Sequence, residues 1–306
     1  LDQGVNFIDT AEMYPVPPKE ETAGWTEQYI GTWLAARKNR ENVILATKAV
    51  GKSDNDFYRG GEVSRLHGKH LKAAVDDSLK RLQTDYIDLY QLHWPERSTN
   101  YFGRLGYEHV EEEDAVEILE TLPALGDLVK SGKIRHIGLS NESAWGTGEF
   151  LRIAHENGQP RVATTQNEYS LLCRHYDLDL AETSHHEDVD CLAFSPLACG
   201  VLSGKYSSGE TPAGSRKSIN DTLGGRVTDR LWPATDAYLK IAKDAGLDPC
   251  QMSLAFCLAR PFMGSTIFGA TTMDQLEIAL GAADMTLSDD VMAAISAAHR
   301  AHPIPF

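Results

Sequence analysis

An α/β fold, built as a (β/α)8 barrel of the TIM type, is predicted by three features of the sequence. Strand-like and helix-like stretches alternate strictly along the chain, which requires a parallel sheet with right-handed crossovers. Seven strand-like runs begin at residues 5, 43, 86, 134, 162, 189 and 265. No G-x-G-x-x-G turn follows the first of them, and an open doubly wound sheet needs one there. A closed barrel has eight strands. Residues 1–4 (Leu-Asp-Gln-Gly) read as a helix end, with Gly4 past the C-terminus. The first strand and any N-terminal hairpin are therefore expected upstream of Leu1, and residues 1–306 are expected to form one barrel domain.

Each element has a local justification. Residues 5–9 are an apolar run that stops at a carboxylate, so they read as a strand. Residues 26–37 read as a helix with Tyr29, Ile30, Trp33 and Leu34 on one face. Residues 42–48 are nearly all apolar, as expected of a strand covered on both faces. Helix 68–83 carries Leu71, Val75, Leu79 and Leu82 as a stripe, and strand 86–93 follows it. Helix 115–131 stops at Gly132, then come strand 134–139 and helix 142–156, which stops at Gly158. Strand 162–166, a short helix at 177–184 and strand 189–194 continue the pattern. Helices 228–245 and 249–259, strand 265–268, helix 273–280 and helix 288–299 complete it, the last with Ser288 as N-cap. Two long loops, 94–114 and 198–227, both follow strands, on the barrel face where active sites lie. The first carries Trp94, Tyr101, Phe102 and Tyr107; the second carries Lys205, Arg216, Lys217 and Arg226.

Composition limits the partners. The chain is 42% hydrophobic and 24% charged with a formal net charge of −15. Nucleic acid and anionic membranes both select a basic face, so neither is expected as a partner. No apolar run approaches the roughly 20 residues of a membrane span, and no secretory leader is visible. Five cysteines without a C-x-x-C pair read as free thiols in a reducing, cytoplasmic compartment.

Three strand ends and one loop carry the chemistry. Asp9 ends the first strand, in phase with Val5 and Phe7, and Tyr14 follows on its loop. Lys48 ends the second strand, in phase with Ile44 and Ala46. His93 ends the third, in phase with Ile87, Leu89 and Gln91. Taken singly, each has a bland reading as surface charge or packed side chain. Together they form a proton donor beside a group that polarises a carbonyl. A cation favours the phenolate of a neighbouring tyrosine. Asp9 can keep Lys48 charged and oriented, and His93 can donate to an oxygen that gains negative charge. The set suits reduction of C=O to CH–OH and lacks a hydride source, so a cofactor is implied.

Seven strings in order resemble the aldo-keto reductases over the whole chain. They are Asn6 to Tyr14, Ala46 to Lys48, Leu92 to Pro95, Ile137 to Asn141, Gln166 to Leu172, Phe194 to Tyr206 and Phe268 to Leu276. Three stretches (77–90, 94–100 and 269–276) resemble in particular a bacterial branch related to the potassium-channel β subunits. The resemblance implies that Asp9, Tyr14, Lys48 and His93 are the catalytic tetrad, with Tyr14 as general acid. It implies that Ser140, Asn141 and Gln166 hold the nicotinamide carboxamide and that Phe194 stacks on the ring. Ser195, Pro196, Leu197, Ala198 and Gly200 would wrap the pyrophosphate, and Lys205 and Arg216 would reach the phosphates. Gly269, Ala270, Thr271, Thr272 and Gln275 would hold the adenosine end. The cofactor expected is NADPH, with NADH as the alternative, and the substrate is a small carbonyl compound met by Tyr14, Trp94, Tyr101 and Phe102. A cofactor-sensing regulatory protein of the channel β-subunit type is the rival reading. Relatives commonly carry Glu and Asn shortly after the match to Gln275, where this chain has Ile278 and Ala279.

Three other clusters read blandly. His185, His186, Glu187 and Asp188 are expected in a solvated loop rather than around a metal. Glu111 to Asp114 reads as acidic charge at the start of the 115–131 helix. Cys199 reads as a small residue that happens to carry sulfur.

Overall fold

Seven strands and ten α-helices alternate along the described residues in this computed structural model, which describes residues 1–111 and 114–306. The chain divides into two compact units, Leu1–Thr165 and Gln166–Phe306.

The first unit contains β1 (Phe7–Asp9), α1 (Trp25–Arg37), β2 (Ile44–Ala49), α2 (Gly68–Leu82), β3 (Ile87–Leu92), α3 (Ile118–Lys130), β4 (Ile134–Ser140) and α4 (Ala144–Asn157). Its strands pair parallel in the order β1-β2-β3-β4. β2 and β3 are buried along almost their whole length, so their apolar runs are covered on both faces, as their composition requires. Leu71, Val75 and Leu82 of α2 and Leu122, Leu125 and Leu128 of α3 form the helix side of the core. α1 packs on α2, α2 on α3 and α3 on α4.

The expected face of α1 holds in part: Leu34 is buried and Ile30 and Trp33 are half-buried, while Tyr29 is exposed and Glu27 and Gly31 are buried as well. Glu27 turns inward because its carboxylate is matched: Thr47 Oγ1 donates to it at 2.6 Å and Arg81 Nε at 2.6 Å. Gly31 lets α1 approach α2. A Cβ there would lie 2.2 Å from the Arg81 carbonyl oxygen and 2.7 Å from the Leu82 carbonyl carbon. Backbone atoms cannot rotate away, so Gly31→Ala is expected to destabilise the chain by about 1–3 kcal/mol in denaturant unfolding. An unchanged midpoint would mean that the helices separate freely.

β5 (Val162–Glu168) carries the division between the units. The second unit continues with α5 (Leu180–Glu187), β6 (Asp190–Phe194), α6 (Arg216–Ile219), α7 (Leu231–Asp244), α8 (Pro249–Leu258), β7 (Met263–Thr266), α9 (Met273–Leu280) and α10 (Asp289–Ala301). β6 and β7 pair parallel. Tyr169 stacks on Phe256 and meets Phe262 edge-on, centroids 6.0 and 5.4 Å apart. Its hydroxyl donates to Asp177, which also accepts from Arg260. Ser288 caps α10 as expected: its Oγ accepts from Val291 N.

Residues 1–4 form a turn closed by Gly4 N donating to Leu1 O, with Gly4 at φ +85°. Two local readings change. α3 begins at Ile118, not at 115, because Asp114 is drawn instead to Arg65 and Lys52. Glu112 and Glu113 lie outside the described residues. His185 and His186 lie in the last turn of α5 rather than in a loop. Among the described residues no group of three metal-ligating side chains converges, and no helix is long and apolar enough to cross a membrane.

Candidate active site

Parallel pairing puts functional side chains on neighbouring strands of the first unit. Asp9 faces Ala46 in the β1–β2 ladder, and Lys48 faces Gln91 in the β2–β3 ladder. Pairing continues past Asp9, with Thr10 N donating to Ala46 O and Glu12 N to Lys48 O. The chain then turns, Tyr14 N donating to Ala11 O at 3.0 Å, which suspends Tyr14 beside the strand ends. His93, just past β3, is tied by its backbone N–H to Ala49 O and by its carbonyl to Asn141 Nδ2, both at 2.9 Å.

The four expected residues come together. Lys48 is fully buried, and its Nζ donates to Asp9 Oδ2 at 2.6 Å and to Thr10 O at 2.8 Å. The same ammonium lies 5.3 Å from the centroid of the Tyr14 ring. The Tyr14 and His93 rings meet edge-to-face, centroids 5.7 Å apart at 76°. Burial alone would lower the Lys48 pKa, but the Asp9 carboxylate, with Tyr14 beside it, more than offsets this and the net shift is upward. Lys48 is therefore charged throughout the neutral range. His93 is held well below its ordinary value, first by burial and then by the charge of Lys48, so its imidazole is neutral. Its buried Nδ1 has no hydrogen-bond partner among the described residues. The tautomer with the proton on Nε2 leaves only an acceptor unpaired there, a smaller cost than a stranded N–H donor.

Supporting residues were not singled out from the sequence. Gln91 Nε2 donates to Asp9 Oδ1 at 3.0 Å. Glu12, buried in the Asp9–Tyr14 loop, accepts from Val50 N at 2.6 Å and takes the Arg59 guanidinium on both oxygens, at 2.6 and 2.9 Å. A buried carboxylate needs such a partner, and the only sequence signal was an acid within an otherwise apolar turn.

The aromatic residues of the 94–114 loop form a chain. His93 and Trp94 rings lie 5.2 Å apart, Trp94 and Phe102 5.8 Å, and Tyr101 and Phe102 5.1 Å. Trp94 Nε1 donates to Lys52 O, and Gly51 leaves the space that the indole fills. A cavity of about 310 Å³ nearby is lined by Trp94, Arg97, Val116, Leu139, Ser140 and Trp145 among others. It contains none of Asp9, Tyr14, Lys48 or His93, and neither Tyr101 nor Phe102.

Asn141 stands at φ +55°, a conformation asparagine tolerates better than most residues, and its Nδ2 also donates to Ser140 Oγ. In the second unit Gln166 is buried on β5 and Phe194 ends β6. Ser195, Ala198, Cys199 and Gly200 all take positive φ, so the 195–200 segment winds tightly. Leu197 and Phe268 pack against Leu254, Ala279 and Ala282. The Lys205 ammonium lies against Gly200, where a Cβ would fall 2.8 Å from Nζ. Neither Lys205 nor Arg216 has an ion-pair partner among the described residues. Arg226, by contrast, is matched by Glu168 through bonds of 2.8 and 2.7 Å. Thr271 donates from both N and Oγ1 to Gln275 Oε1, and Thr272 caps α9 by accepting from Gln275 N. Ala279 is buried in the core and Ile278 is exposed, so neither offers a polar side-chain atom.

Comparison with known proteins shows the family. A profile of the Aldo/keto reductase family matches residues 1–300. Protein tas of Escherichia coli (strain K12) is 48% identical over 99% of this chain and 88% of its own length. Norsolorinic acid reductase B of Aspergillus parasiticus is 29% identical over 98% of the chain and 72% of its own length. A probable voltage-gated potassium channel subunit beta of Oryza sativa subsp. japonica is 29% identical over 99% of the chain and 85% of its own length. The chain therefore belongs to the Aldo/keto reductase family and is an oxidoreductase.

Proposed function

We propose that this chain reduces aldehyde or ketone carbonyls to alcohols with NADPH, using Tyr14 as the general acid. The observation that carries this reading is the buried Asp9–Lys48 pair, whose ammonium faces the Tyr14 ring while a neutral His93 stands edge-on to the same ring. Family membership and seven strands alternating with helices support a (β/α)8 barrel as the scaffold.

When bound, NADPH supplies the hydride that the side chains lack. The rest falls to the chain. Tyr14 gives its hydroxyl proton to the carbonyl oxygen as charge builds there. Lys48, fixed by Asp9 and Thr10 O, stabilises the phenolate left behind. His93 donates from Nε2 to the same oxygen, and its neutrality avoids a second positive charge beside Lys48. Trp94, Tyr101 and Phe102 offer ring faces and edges, which favours an apolar or aromatic carbonyl compound.

The residues present fit the dinucleotide. Asn141 has committed Nδ2 to His93 O and Ser140 Oγ, which leaves Oδ1 to accept from a carboxamide, with Ser140 and Gln166 as its companions. Phe194 would face the ring, and Ser195, Pro196, Leu197, Ala198 and Gly200 would wrap the pyrophosphate. Lys205 and Arg216 would meet phosphate oxygens, and Gly269, Ala270, Thr271, Thr272 and Gln275 would hold the adenosine end. Two cations without an ion-pair partner among the described residues, in a chain of net charge −15, suit the phosphates of either dinucleotide, and the choice of NADPH comes from the family resemblance. Lys205→Ala is expected to weaken NADPH binding by about tenfold or more, the value of one hydrogen bond to a charged group. Titration of NADPH and NADH against intrinsic fluorescence reads this directly. An unchanged NADPH affinity would remove Lys205 from the site.

The likeness to potassium channel β subunits favours one rival, a cofactor sensor with incidental turnover. Steady turnover above about 1 s⁻¹ on a small carbonyl would count against it.

A further inference from the structure

We propose that Gln91 is the positioning residue of this site: it fixes the Asp9 carboxylate from the side opposite Lys48, and Gly138 supplies the room it needs. The inference rests on the reductase reading of the tetrad and names what keeps that tetrad aimed.

Asp9, Lys48, Gln91 and Gly138 stand on four consecutive parallel strands. Lys48 pairs with Gln91 in the β2–β3 ladder, and Gln91 pairs with Gly138 in the β3–β4 ladder. Gln91 is fully buried and lies in phase with His93 along the strand. Its side chain spans the strand carrying Lys48 and donates from Nε2 to Asp9 Oδ1 at 3.0 Å. Lys48 Nζ holds the other oxygen, Oδ2, at 2.6 Å. The two carboxylate oxygens therefore carry different donors, one charged and one neutral, and the plane of the group is fixed.

Clearance is the second observation. A Cβ on Gly138 would stand 3.0 Å from Gln91 Cγ and 2.7 Å from Thr164 Oγ1. The glycine has no positive φ to explain it. Its lack of a side chain leaves the space in which Gln91 lies.

Orientation matters because Lys48 does two things at once. It must remain bound to Asp9 and face the Tyr14 ring. The terminal torsion of an aspartate is broad, so each donor to its oxygens narrows the planes the carboxylate can take. The Gln91 amide is such a donor, on the oxygen that Lys48 does not hold. A hydrocarbon at 91 would pack without it, whereas a carboxyl at 91 would retain the bond only when protonated.

The test measures kcat and KM against pH for wild type, Gln91→Leu, Gln91→Glu and Tyr14→Phe, using NADPH and benzaldehyde. Gln91→Leu is expected to lower kcat by about ten- to a hundredfold, the worth of a hydrogen bond to a charged group, with little change in KM for NADPH. Gln91→Glu is nearly isosteric and gives the more specific signature. Its new carboxyl donates to Asp9 when protonated, so activity should approach wild type at acid pH. Activity should then fall as pH rises and the two carboxylates compete for one proton. A wild-type kcat in Gln91→Leu, or a Gln91→Glu profile parallel to wild type, would overturn the proposal. If Gln91→Leu does not fold, the Gln91→Glu profile decides. Tyr14→Phe separates the two levels of the argument: full activity there retires the reductase reading itself. An inactive Tyr14→Phe beside unaffected Gln91 variants retires only the role of Gln91.

Discussion

Replacing Tyr14 with phenylalanine is expected to lower kcat for carbonyl reduction by about 10²–10⁴-fold, with NADPH affinity and melting temperature close to wild type. The substitution removes one hydroxyl and keeps the ring. The edge-on contact with His93, centroids 5.7 Å apart, and the position of the Lys48 ammonium over the ring both belong to the ring itself. Any loss can therefore be assigned to the proton. Residual turnover should survive, because His93 still polarises the oxygen and the bound reactants remain close together.

Lys48→Met is expected to remove activity and also to destabilise the fold by about 3–5 kcal/mol, because Asp9 loses its cation in a buried site. The effect has a pH signature. Lys48 binds its proton more tightly folded than unfolded, so its contribution is complete below its ordinary value of 10.5 and disappears as pH rises through the higher folded value. His93 works in the opposite direction. It is held well below its ordinary 6.5, so the unfolded chain takes up that proton first and stability falls as pH drops below 6.5. These two groups together predict a plateau in melting temperature between pH 6.5 and 10.5 with losses on both sides. Lys48→Met should flatten the alkaline loss and weaken the acid one only in part, because burial still holds His93 low. A variant as stable as wild type, with the same alkaline slope, would show that the Asp9–Lys48 pair contributes nothing to stability.

The reach of the sequence can be judged from the residues behind these two predictions. Asp9, Lys48 and His93 were legible because a strand alternates with period two, and each is in phase with apolar neighbours at a strand end. Gln91 has the same phase and was visible as such. Its bond to Asp9 was not, because that bond crosses an intervening strand whose register no single strand encodes. Glu27 and Glu12 were invisible for another reason. A carboxylate in a helix or loop reads as solvated, and only the arrival of Arg81 or Arg59 from distant sequence makes burial affordable. Tyr29 was placed on the wrong face of α1 for the same cause: the buried Glu27 rotates the interior side of the helix away from it. The start of α3 moved because Asp114 finds Arg65, a contact between residues far apart in sequence. Periodicity thus specified elements and strand-end chemistry, while long-range charge pairing decided the details.

The most direct test of the account follows the hydride itself. Wild-type protein would be given benzaldehyde and NADPH deuterated at the transferable C4 position, and the alcohol would be weighed by mass spectrometry. The account predicts benzyl alcohol with one deuterium on the former carbonyl carbon, formed by wild type and formed about 10²–10⁴-fold more slowly by Tyr14→Phe. Alcohol without deuterium, or labelled alcohol formed at the same rate by both proteins, would contradict it.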